Sequence, residues 1–255
     1  LRILEKAKVN PVYQFTKIYG IGPKKAKQLV EKDGVTSIPA LRERQDLLNN
    51  VQKKGLKHYE DILKRIPRSE VGEYRIALEK VFKTLPSAQG STFDIVGSYR
   101  RGKQTSGDID IIITNNENNK KVFGEFLAAL EKSGLLIEVL SKGKIKSLTV
   151  GKIKDYPARR LDFMYSSPEE YAFAILYFTG SKAFNVVMRQ RAIDMCYTMN
   201  EHALYKLVGK KKGPKPNLLF PTEQSIFEFL GMVYKTPVQR VDGRAVVLKE
   251  KLKGK

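Results

Sequence analysis

Cysteine, histidine and tryptophan are nearly absent from this chain of 255 residues, which has one cysteine, two histidines and no tryptophan. Cys196 has no partner for an intrachain disulfide, which indicates a reducing compartment, and its apolar helical surroundings predict a packed thiol. His58 and His202 are far apart in sequence, which argues against a zinc site built on histidines. No apolar run approaches the length of a transmembrane helix and no signal-peptide pattern is present, so we expect no membrane partner.

Acidic residues are scarce compared with basic ones. The chain has 47 Lys and Arg against 27 Asp and Glu, which gives a net charge of +20. A charge of this size is typical of proteins that bind nucleic acid. An apolar fraction of 42% is enough for a folded core, and the length allows one large domain or two to three smaller ones. Because the sequence begins with Leu1, inside an expected helix, we expect a fragment or a processed chain.

Residues 96–113 form the most informative segment. A short apolar run at 93–96 predicts a strand, a tight Gly97-Ser98 turn and a basic helical turn follow, and a second strand is predicted to start at Asp108. Side chains alternate across a strand, so Asp108 and Asp110 should share one face while the neighbouring isoleucines enter a core. Two adjacent carboxylates repel each other unless a cation lies between them, and such oxygen ligands suit Mg²⁺.

The same segment contains a predicted phosphate site. Gly97 and Ser98 open the helical turn, and the free N–H groups at a helix start favour phosphate. Further donors and positive charge come from Ser98, Arg100, Arg101 and Lys103. A lone Asp-x-Asp is usually a solvated strand edge and a lone Gly-Ser a turn, but their joint occurrence is rare by chance. A phosphate site beside a divalent-metal site is what nucleotidyl transfer requires.

A third carboxylate is predicted on a later strand, Arg159–Tyr165. Arg160, Asp162 and Met164 should share one face of it, and the alternating apolar residues the other. An aspartate on such a strand is costly to bury unless it is paired or metal-bound. Asp162 is therefore the predicted third metal ligand. An ion pair with Arg160 is the alternative, and the two interpretations are compatible.

The overall pattern predicts an α+β fold in three parts: residues 1–68 helical, 69–168 alternating helices and strands, and 169–255 mostly helical. Beyond the segments above, strands are predicted at 135–141 and 145–151, a hairpin near 197–207, a basic loop at 209–216, and helices at 57–65, 70–85, 121–133, 171–179, 183–195 and 223–231.

The first part contains a second distinctive segment, residues 15–30. A helix is predicted to end at Gly20-Ile21-Gly22, and another to begin with Pro23 at its first position. This form resembles the helix-hairpin-helix motif, in which the glycines let backbone N–H groups approach a DNA phosphate. Lysines would surround that contact without reading bases: Lys24, Lys25 and Lys27. An ordinary pair of helices bounded by glycine is the alternative.

Five blocks in this order resemble family X DNA polymerases, most of all their polymerase beta type. They are Gly-Ser-Tyr-Arg-Arg-Gly-Lys (97–103), Ser-Gly-Asp-Ile-Asp (106–110), Arg-Arg-Leu-Asp (159–162), Tyr-Phe-Thr-Gly-Ser (177–181) and the Asn-x-x-x-Arg of Asn185 and Arg189. The resemblance covers nearly the whole chain. It implies a nucleotidyltransferase-type palm at 69–168, flanked by a helix-hairpin-helix subdomain and by a C-terminal subdomain that binds the nascent base pair. The 8-kDa lyase domain that begins the polymerase beta pattern is not found.

The resemblance also implies a role for each site residue. Asp108 and Asp110 would bind two Mg²⁺ ions, for which Mn²⁺ can substitute, and Asp162 would bind the catalytic ion beside the primer 3′-hydroxyl. The dNTP would be bound by Arg65, Ser98, Arg101, Ser106, Gly107, Tyr177, Phe178, Gly180 and Asn185. The DNA would be bound by Gly20, Gly22, Lys24, Lys25, Lys27, Lys146, Arg160 and Arg189. A monovalent cation, K⁺ or Na⁺, would be bound by the backbone carbonyls of Thr16, Ile18 and Ile21. Glu201 would exchange partners with Arg189 or its neighbours as the C-terminal subdomain closes.

Two positions depart from the polymerase beta pattern. Lys182 occupies an acidic position and His202 a position where tyrosine is typical, so nucleotide affinity or fidelity is expected to differ.

We expect a monomeric, template-directed DNA polymerase that fills short gaps in base excision repair, with gapped or primer–template DNA and dNTPs as partners. Other nucleotidyltransferases are one alternative, namely a terminal transferase, a poly(A) polymerase or a tRNA-end enzyme, because they share Gly-Ser and Asp-x-Asp. A non-catalytic DNA-binding module is another. Residues 210–215 resemble a nuclear signal, which favours a nuclear location, but a solvated or DNA-facing loop fits them equally well.

Overall fold

The computed structural model describes residues 10–250, so the helix expected at Leu1 and the last five residues of the C-terminal part lie outside the described range. Buried apolar side chains form three large clusters, and each draws its fully buried members from one stretch of the chain. The stretches are 15–59, 66–165 and 172–232. Each stretch therefore builds a core of its own.

The first stretch is helical, and polar side chains cap three of its five described helices. Its helices are α1 (Pro11–Thr16), α2 (Pro23–Glu31), α3 (Ile38–Arg42), α4 (Asn50–Lys57) and α5 (Tyr59–Leu63), with a 3₁₀ turn at Gln45–Leu47. Asn10 accepts a hydrogen bond from the Val12 N–H, and Asn49 and Gln52 form a reciprocal capping box at α4. The core of this bundle is made of Phe15, Ile18, Leu29, Leu41 and Leu56.

Two helix bounds differ from prediction in this stretch. The first hairpin helix ends at Thr16, four residues before Gly20, because tight turns follow it: the Ile18 N–H donates to the Phe15 carbonyl and the Ile21 N–H to the Ile18 carbonyl. The helix predicted at 57–65 is interrupted at His58, whose backbone leaves the helical conformation.

A five-stranded sheet forms the centre of the second stretch. Its strands are β2 (Ser91–Ile95), β4 (Ile109–Asn115), β5 (Leu136–Lys142), β6 (Lys146–Gly151) and β7 (Arg159–Tyr165), while the short strands β1 (Ile66–Pro67) and β3 (Thr105–Ser106) pair with each other. The spatial order is β2-β4-β7-β6-β5, with β4 and β7 parallel and the other neighbours antiparallel. Strand β7 has its predicted bounds, whereas β4 begins one residue after the predicted start.

Helices cover both faces of this sheet. On one face α6 (Arg68–Phe82) and α8 (Lys121–Lys132) pack through a cluster of rings, Phe82, Phe93, Phe126 and Phe163. On the other face Ile112 packs against Ala174 and Ile175 of α9 (Tyr171–Thr179). The single-turn helix α7 (Gly97–Arg100) connects β2 to β3 at one end of the sheet.

The third stretch combines helices with a small sheet. Its elements after α9 are α10 (Lys182–Asp194), β8 (Tyr197–Met199), β9 (Leu204–Val208), β10 (Lys211–Lys212), α11 (Glu223–Phe229) and 3₁₀ turns at Pro237–Gln239 and Gly243–Ala245. Helix α9 is almost wholly apolar because it is buried on two sides, by the sheet and by the C-terminal core.

Two predictions for the third stretch are wrong. Lys211 and Lys212 form a strand inside the predicted basic loop. Cys196 is exposed, because α10 ends at Asp194 and the left-handed backbone of Cys196 turns the chain into β8. A separate observation concerns helix length: within residues 10–250, no helix is long and apolar enough to span a bilayer.

Candidate active site

The three predicted carboxylates meet at one end of the central sheet. Asp110 of β4 lies directly beside Asp162 of β7 in the parallel register, and Asp108 immediately precedes β4. One oxygen of each carboxylate lies within 4.8 Å of one oxygen of each of the others. Asp108 is exposed, while the other two are partly buried. Alternation holds as predicted, because Ile109, Ile111 and Ile113 are fully buried on the opposite face of β4.

Burial and mutual repulsion perturb the titration of this cluster. Burial, together with the negative charges of Asp108 and Asp162, raises the pKa of Asp110 to about 7. Burial also raises the pKa of Asp162, although the adjacent Arg160 opposes this. Hard oxygen ligands whose charges repel one another fit a divalent cation such as Mg²⁺ or Mn²⁺. The described residues therefore suit the ions that the sequence predicts.

Arg160 supplies the positive charge nearest to Asp162. Its Nη2 donates to both Asp162 oxygens, at 2.9 and 2.7 Å. The ion pair and the carboxylate cluster occur together, so the two interpretations of Asp162 are indeed compatible. The ring of Tyr19, from the turn after α1, lies against the other side of this guanidinium, with its centroid 4.7 Å from Cζ. Lys146, at the start of β6, is exposed on the same side of the sheet.

The predicted phosphate site lies next to the carboxylates. Gly97 opens α7 with φ +66°, and a Cβ at this position would lie 3.2 Å from Asp110 Oδ2. Glycine thus allows the helix start to approach the cluster closely. The hydroxyls of Ser98 and Ser106 are hydrogen-bonded at 2.7 Å. Beside Gly107 lies the guanidinium of Arg65, which donates to the side chain and backbone carbonyl of Thr105.

Residues of α9 and α10 complete the rim. Arg101 Nη1 donates to the Thr179 carbonyl at 2.6 Å, and burial lowers the pKa of Arg101. Asn185 Nδ2 donates to the Tyr177 carbonyl at 2.7 Å. Of the predicted nucleotide-binding residues, Tyr177 and Phe178 lie on the last turn of α9, Gly180 follows it, and Asn185 lies on the first turn of α10, where Lys182 is exposed.

The predicted pair of Glu201 and Arg189 is not formed within residues 10–250. Arg189 is exposed on α10 and lines a small cavity together with Asn185 and Asn200. Glu201 lies 3.8 Å from His202 Nε2, and His202 Nδ1 lies 3.1 Å from Glu170. Exchange of partners between Glu201 and Arg189 stays a prediction.

The hairpin turn between α1 and α2 contains both predicted glycines. Gly20 has φ +88°, and its carbonyl accepts a hydrogen bond from Gln52 Nε2 at 3.0 Å. Gly22 precedes α2, and a Cβ there would meet no atom within 4 Å. The surrounding lysines stand on the first turns of α2: Lys24 and Lys27 exposed, Lys25 partly buried. The carbonyls of the predicted cation site, Thr16, Ile18 and Ile21, lie along the same turn.

Sequence reasoning missed two buried ion-pair networks around the site. Arg159 pairs with Glu70 at 2.7 Å and donates to the backbone carbonyls of Lys64 and Arg65, where the helical stretch joins the sheet. In the second network, Glu223 of α11 pairs with Arg100 of α7 and with Arg240, which is fully buried. The paired residues are far apart in the sequence, so no local sequence pattern predicts that they meet.

The raised pKa of Asp110 makes divalent-metal binding dependent on pH. Bound metal requires the ionised carboxylate, so below pH 7 the cluster must release a proton before it binds. We expect Mn²⁺ affinity to rise about tenfold per pH unit up to about 7 and to level off above 8. Titration calorimetry in two buffers of different ionisation enthalpy should show about one proton released at pH 6 and almost none at pH 8. In Asp110→Asn that release should vanish, and equal wild-type affinity at both pH values would contradict the assignment.

The same pKa shift predicts how the metal-free protein responds to pH. Between the ordinary aspartate pKa and about 7, the folded cluster holds a proton that the unfolded chain has lost. This proton adds to the free energy of unfolding at low pH, and its contribution is lost as pH rises through the pKa of Asp110 in the folded protein. Divalent metal, which binds the ionised form, should therefore stabilise the fold most above pH 7.

Three domain families match this chain in consecutive segments. They are the fingers domain of DNA polymerase lambda at residues 13–63, the DNA polymerase beta palm at 65–168 and the DNA polymerase beta thumb at 174–241. The carboxylate cluster and the phosphate site lie within the second segment, and the hairpin turn lies within the first.

Individual proteins are similar over almost the whole chain. DNA polymerase lambda of Rattus norvegicus is 35% identical over 242 residues, which cover 89% of this chain and 41% of that protein. DNA polymerase lambda of Arabidopsis thaliana is 32% identical, with 91% and 47% covered. DNA-directed DNA/RNA polymerase mu of Homo sapiens is 24% identical, with 94% and 54% covered. The chain thus spans about half the length of these relatives. The matched domains follow one another in the order of fingers, palm and thumb, and the chain belongs to family X of the DNA polymerases.

Proposed function

We propose that this protein is a template-directed DNA polymerase that fills short gaps during DNA repair, transferring a nucleotide from a dNTP to a primer 3′-hydroxyl. One observation carries the proposal: three carboxylates, brought together by the parallel pair β4 and β7, lie directly beside a glycine-opened helix start. The relatives support it, because they are named DNA polymerase lambda and DNA-directed DNA/RNA polymerase mu.

In this proposal the carboxylates hold two divalent ions and orient the primer end. Asp108 and Asp110 would bind both ions, and Asp162 would bind the catalytic one next to the 3′-hydroxyl. When bound, the ions supply the positive charge that stabilises the attacking and leaving oxygens of an in-line displacement. Arg160 would hold Asp162 in place and, with Lys146, neutralise primer phosphate.

The triphosphate would lie over α7 and β3. The linked hydroxyls of Ser98 and Ser106, the backbone N–H of Gly107 and the guanidinium groups of Arg65 and Arg101 would hold its oxygens. Arg101 is partly buried, so its charge acts in a medium of lower dielectric than water.

The sugar and base would lie against α9 and α10. Tyr177 and Phe178, whose rings meet edge to face, would border the sugar with Gly180, and Asn185 would face the minor groove of the new pair. Lys182, at the start of α10, would contact the incoming nucleotide where the polymerase beta type has an acidic residue. Arg189 would reach the template strand, with Glu201 as its partner in one of two positions of the C-terminal stretch.

The proposal makes primer extension the decisive experiment. Each dNTP is offered separately on gapped, open-template and blunt DNA, with Mg²⁺ titrated. Addition of only the complementary nucleotide, on DNA with a template, supports a template-directed polymerase. Addition to blunt ends without base selection would instead support a terminal transferase, and no addition on any DNA would contradict catalysis altogether.

The hairpin turn is proposed to hold the DNA by its backbone, with a K⁺ or Na⁺ ion at the carbonyls of Thr16, Ile18 and Ile21. Gly22→Val tests this, because the position is open and the added side chain should leave the fold intact. We expect DNA binding to weaken about tenfold for every sequence alike, and the salt dependence of binding to become shallower. Equilibrium anisotropy titrations at several salt concentrations measure both.

A matched control for this prediction is Gly124→Val on α8, which is also exposed and has no atom within 4 Å of the added Cβ. It should bind DNA as the wild type does. Unchanged binding by Gly22→Val, or loss for one sequence only, would contradict a backbone contact at the turn.

We further propose that the protein acts as a monomer in the nucleus. The lysines that resemble a nuclear signal are all exposed on or beside the hairpin of β9 and β10: Lys210, Lys211, Lys212 and Lys215. Neutralising them as glutamines and comparing the nuclear fraction with DNA affinity distinguishes an import signal from a DNA-facing loop.

A further inference from the structure

Two contacts orient the guanidinium of Arg160. Its Nη2 donates to both oxygens of Asp162, and the ring of Tyr19 lies 4.7 Å from Cζ. Among the described residues its side chain has no other hydrogen-bond partner, and its Nε is buried without one. The direction of this guanidinium, and through it that of Asp162, therefore depends on the Tyr19 ring.

Tyr19 is itself fixed by the helical stretch. A Cβ at Gly55 would collide with the Tyr19 backbone carbonyl, so α4 lies directly against the turn. Gln52, also on α4, donates to the carbonyl of Gly20. The Tyr19 side chain packs against a small apolar cluster formed by Leu140, Val150 and Ala158 of the sheet region. Backbone and ring are thus held by different parts of the protein, and the ring has little freedom to move away from Arg160.

We propose that Tyr19 is a positioning residue, which holds Arg160 against Asp162 and thereby keeps the third carboxylate directed at Asp108 and Asp110. The inference deepens the proposed function and rests on it for its kinetic part. Tyr19 lies in the turn proposed to contact a DNA phosphate. One residue would then connect the seating of DNA on the hairpin with the orientation of a metal ligand.

The physical reason is the repulsion within the carboxylate cluster. Three negative groups with oxygens within 4.8 Å drive one another apart in the absence of a cation. Arg160 opposes this for Asp162 only while its plane faces the carboxylate, and an aromatic face is a good support for a planar guanidinium. Without the ring, Arg160 is free to turn to solvent and Asp162 to swing away from its neighbours.

Tyr19→Leu tests the proposal first by metal binding, which requires no catalysis. We expect Mn²⁺ to bind the DNA-free variant about five- to tenfold more weakly than the wild type in calorimetry or electron paramagnetic resonance. Tyr19→Phe keeps the ring and should bind like the wild type. The matched control is Tyr13→Leu on α1, which removes a similar cation–ring contact, 4.6 Å from Lys17 Nζ, in the same helical stretch. It should leave Mn²⁺ affinity unchanged.

The second readout is the rate of nucleotide addition in a single turnover. For Tyr19→Leu we expect a fall of about tenfold at saturating DNA, dNTP and Mg²⁺, with the KM for dNTP within about twofold of the wild type. A merely structural defect in the turn would change DNA affinity instead. Arg160→Lys keeps the positive charge but loses the planar guanidinium, so it should weaken Mn²⁺ binding as Tyr19→Leu does. The double variant, Tyr19→Leu with Arg160→Lys, should bind Mn²⁺ no more weakly than the weaker of the two single variants.

Three results would overturn the proposal: Mn²⁺ affinity of Tyr19→Leu within twofold of the wild type, tighter Mn²⁺ binding, or an equal defect in Tyr19→Phe. Tighter binding would show that Arg160 competes with the metal. Absence of primer extension by the wild type would contradict the polymerase proposal but leave the Mn²⁺ comparison intact, so the two failures are distinguishable.

Discussion

Asp162→Asn is expected to slow nucleotide addition by roughly a thousandfold or more, while gapped DNA still binds. The substitution keeps the shape of the side chain but removes the charge that would hold the catalytic ion beside the 3′-hydroxyl. A thousandfold loss corresponds to about 4 kcal/mol of transition-state stabilisation, a plausible size for one lost metal ligand. Single-turnover primer extension at saturating dNTP and Mg²⁺ measures the rate, and anisotropy measures binding.

The control for this prediction is Asp155→Asn, an exposed aspartate in the loop that leads to β7. It should extend primers at the wild-type rate. The Asp162→Asn protein should remain folded, since the amide oxygen still accepts a hydrogen bond from Arg160. A rate within tenfold of the wild type would contradict the assignment of Asp162 as a metal ligand.

Periodicity in the sequence was enough to predict the strands that carry the site. Strand β7 has its predicted bounds because Leu161, Phe163 and Tyr165 recur at every second position, and burial alternates from Arg159 to Tyr165. The isoleucines around Asp108 and Asp110 indicate the buried face of β4 in the same way. What such patterns leave undetermined is pairing. That β4 and β7 are parallel neighbours, with Asp110 beside Asp162, depends on the topology of the whole sheet.

Helix ends were predicted less well, because they depend on hydrogen bonds between particular groups. The glycines at 20 and 22 mark a turn, but the turn already begins after Thr16. Helix α6 ends at Phe82, three residues before the predicted end, where the Lys83 N–H makes the last capping hydrogen bonds. Alternative end positions of a helix differ by one or two hydrogen bonds, and the residue types near the end do not distinguish them.

Contacts between distant residues were not predicted at all. Tyr19 is unremarkable in a helical segment until α4 and the sheet bring it against Arg160. Arg100, predicted as a donor to phosphate, instead pairs with Glu223, which lies 123 positions away in a different stretch, and the local sequence of neither residue predicts this pair. Both contacts bring an element outside the sheet to residues at or beside the site. The residues of the candidate active site were therefore predictable from local spacing, whereas the long-range contacts that hold them in position were not.

Glu223→Ala is expected to lower stability by about 3–5 kcal/mol, the largest effect we predict for a residue outside the carboxylate cluster. Glu223 accepts hydrogen bonds from Arg100, at 2.6 Å to Oε1, and from Arg240, which is fully buried. Removing it leaves the Arg240 guanidinium in the core without a carboxylate, and of the acceptors within residues 10–250 only the Lys235 carbonyl still receives a hydrogen bond from it. The melting temperature should fall by roughly 6–20 °C, measured by calorimetry or circular dichroism.

The matched control is Glu228→Ala, an exposed glutamate on the same helix, which should change stability by less than about 0.5 kcal/mol. A compensated variant, Glu223→Leu with Arg240→Met, replaces the buried pair by apolar groups and should recover most of the lost stability. Arg100 can tolerate this change, since it is partly exposed and still donates to the Thr179 hydroxyl at 2.8 Å. If the double variant were as unstable as Glu223→Ala, the loss would come from disrupted packing around α11, and an unpaired buried charge would not be its cause.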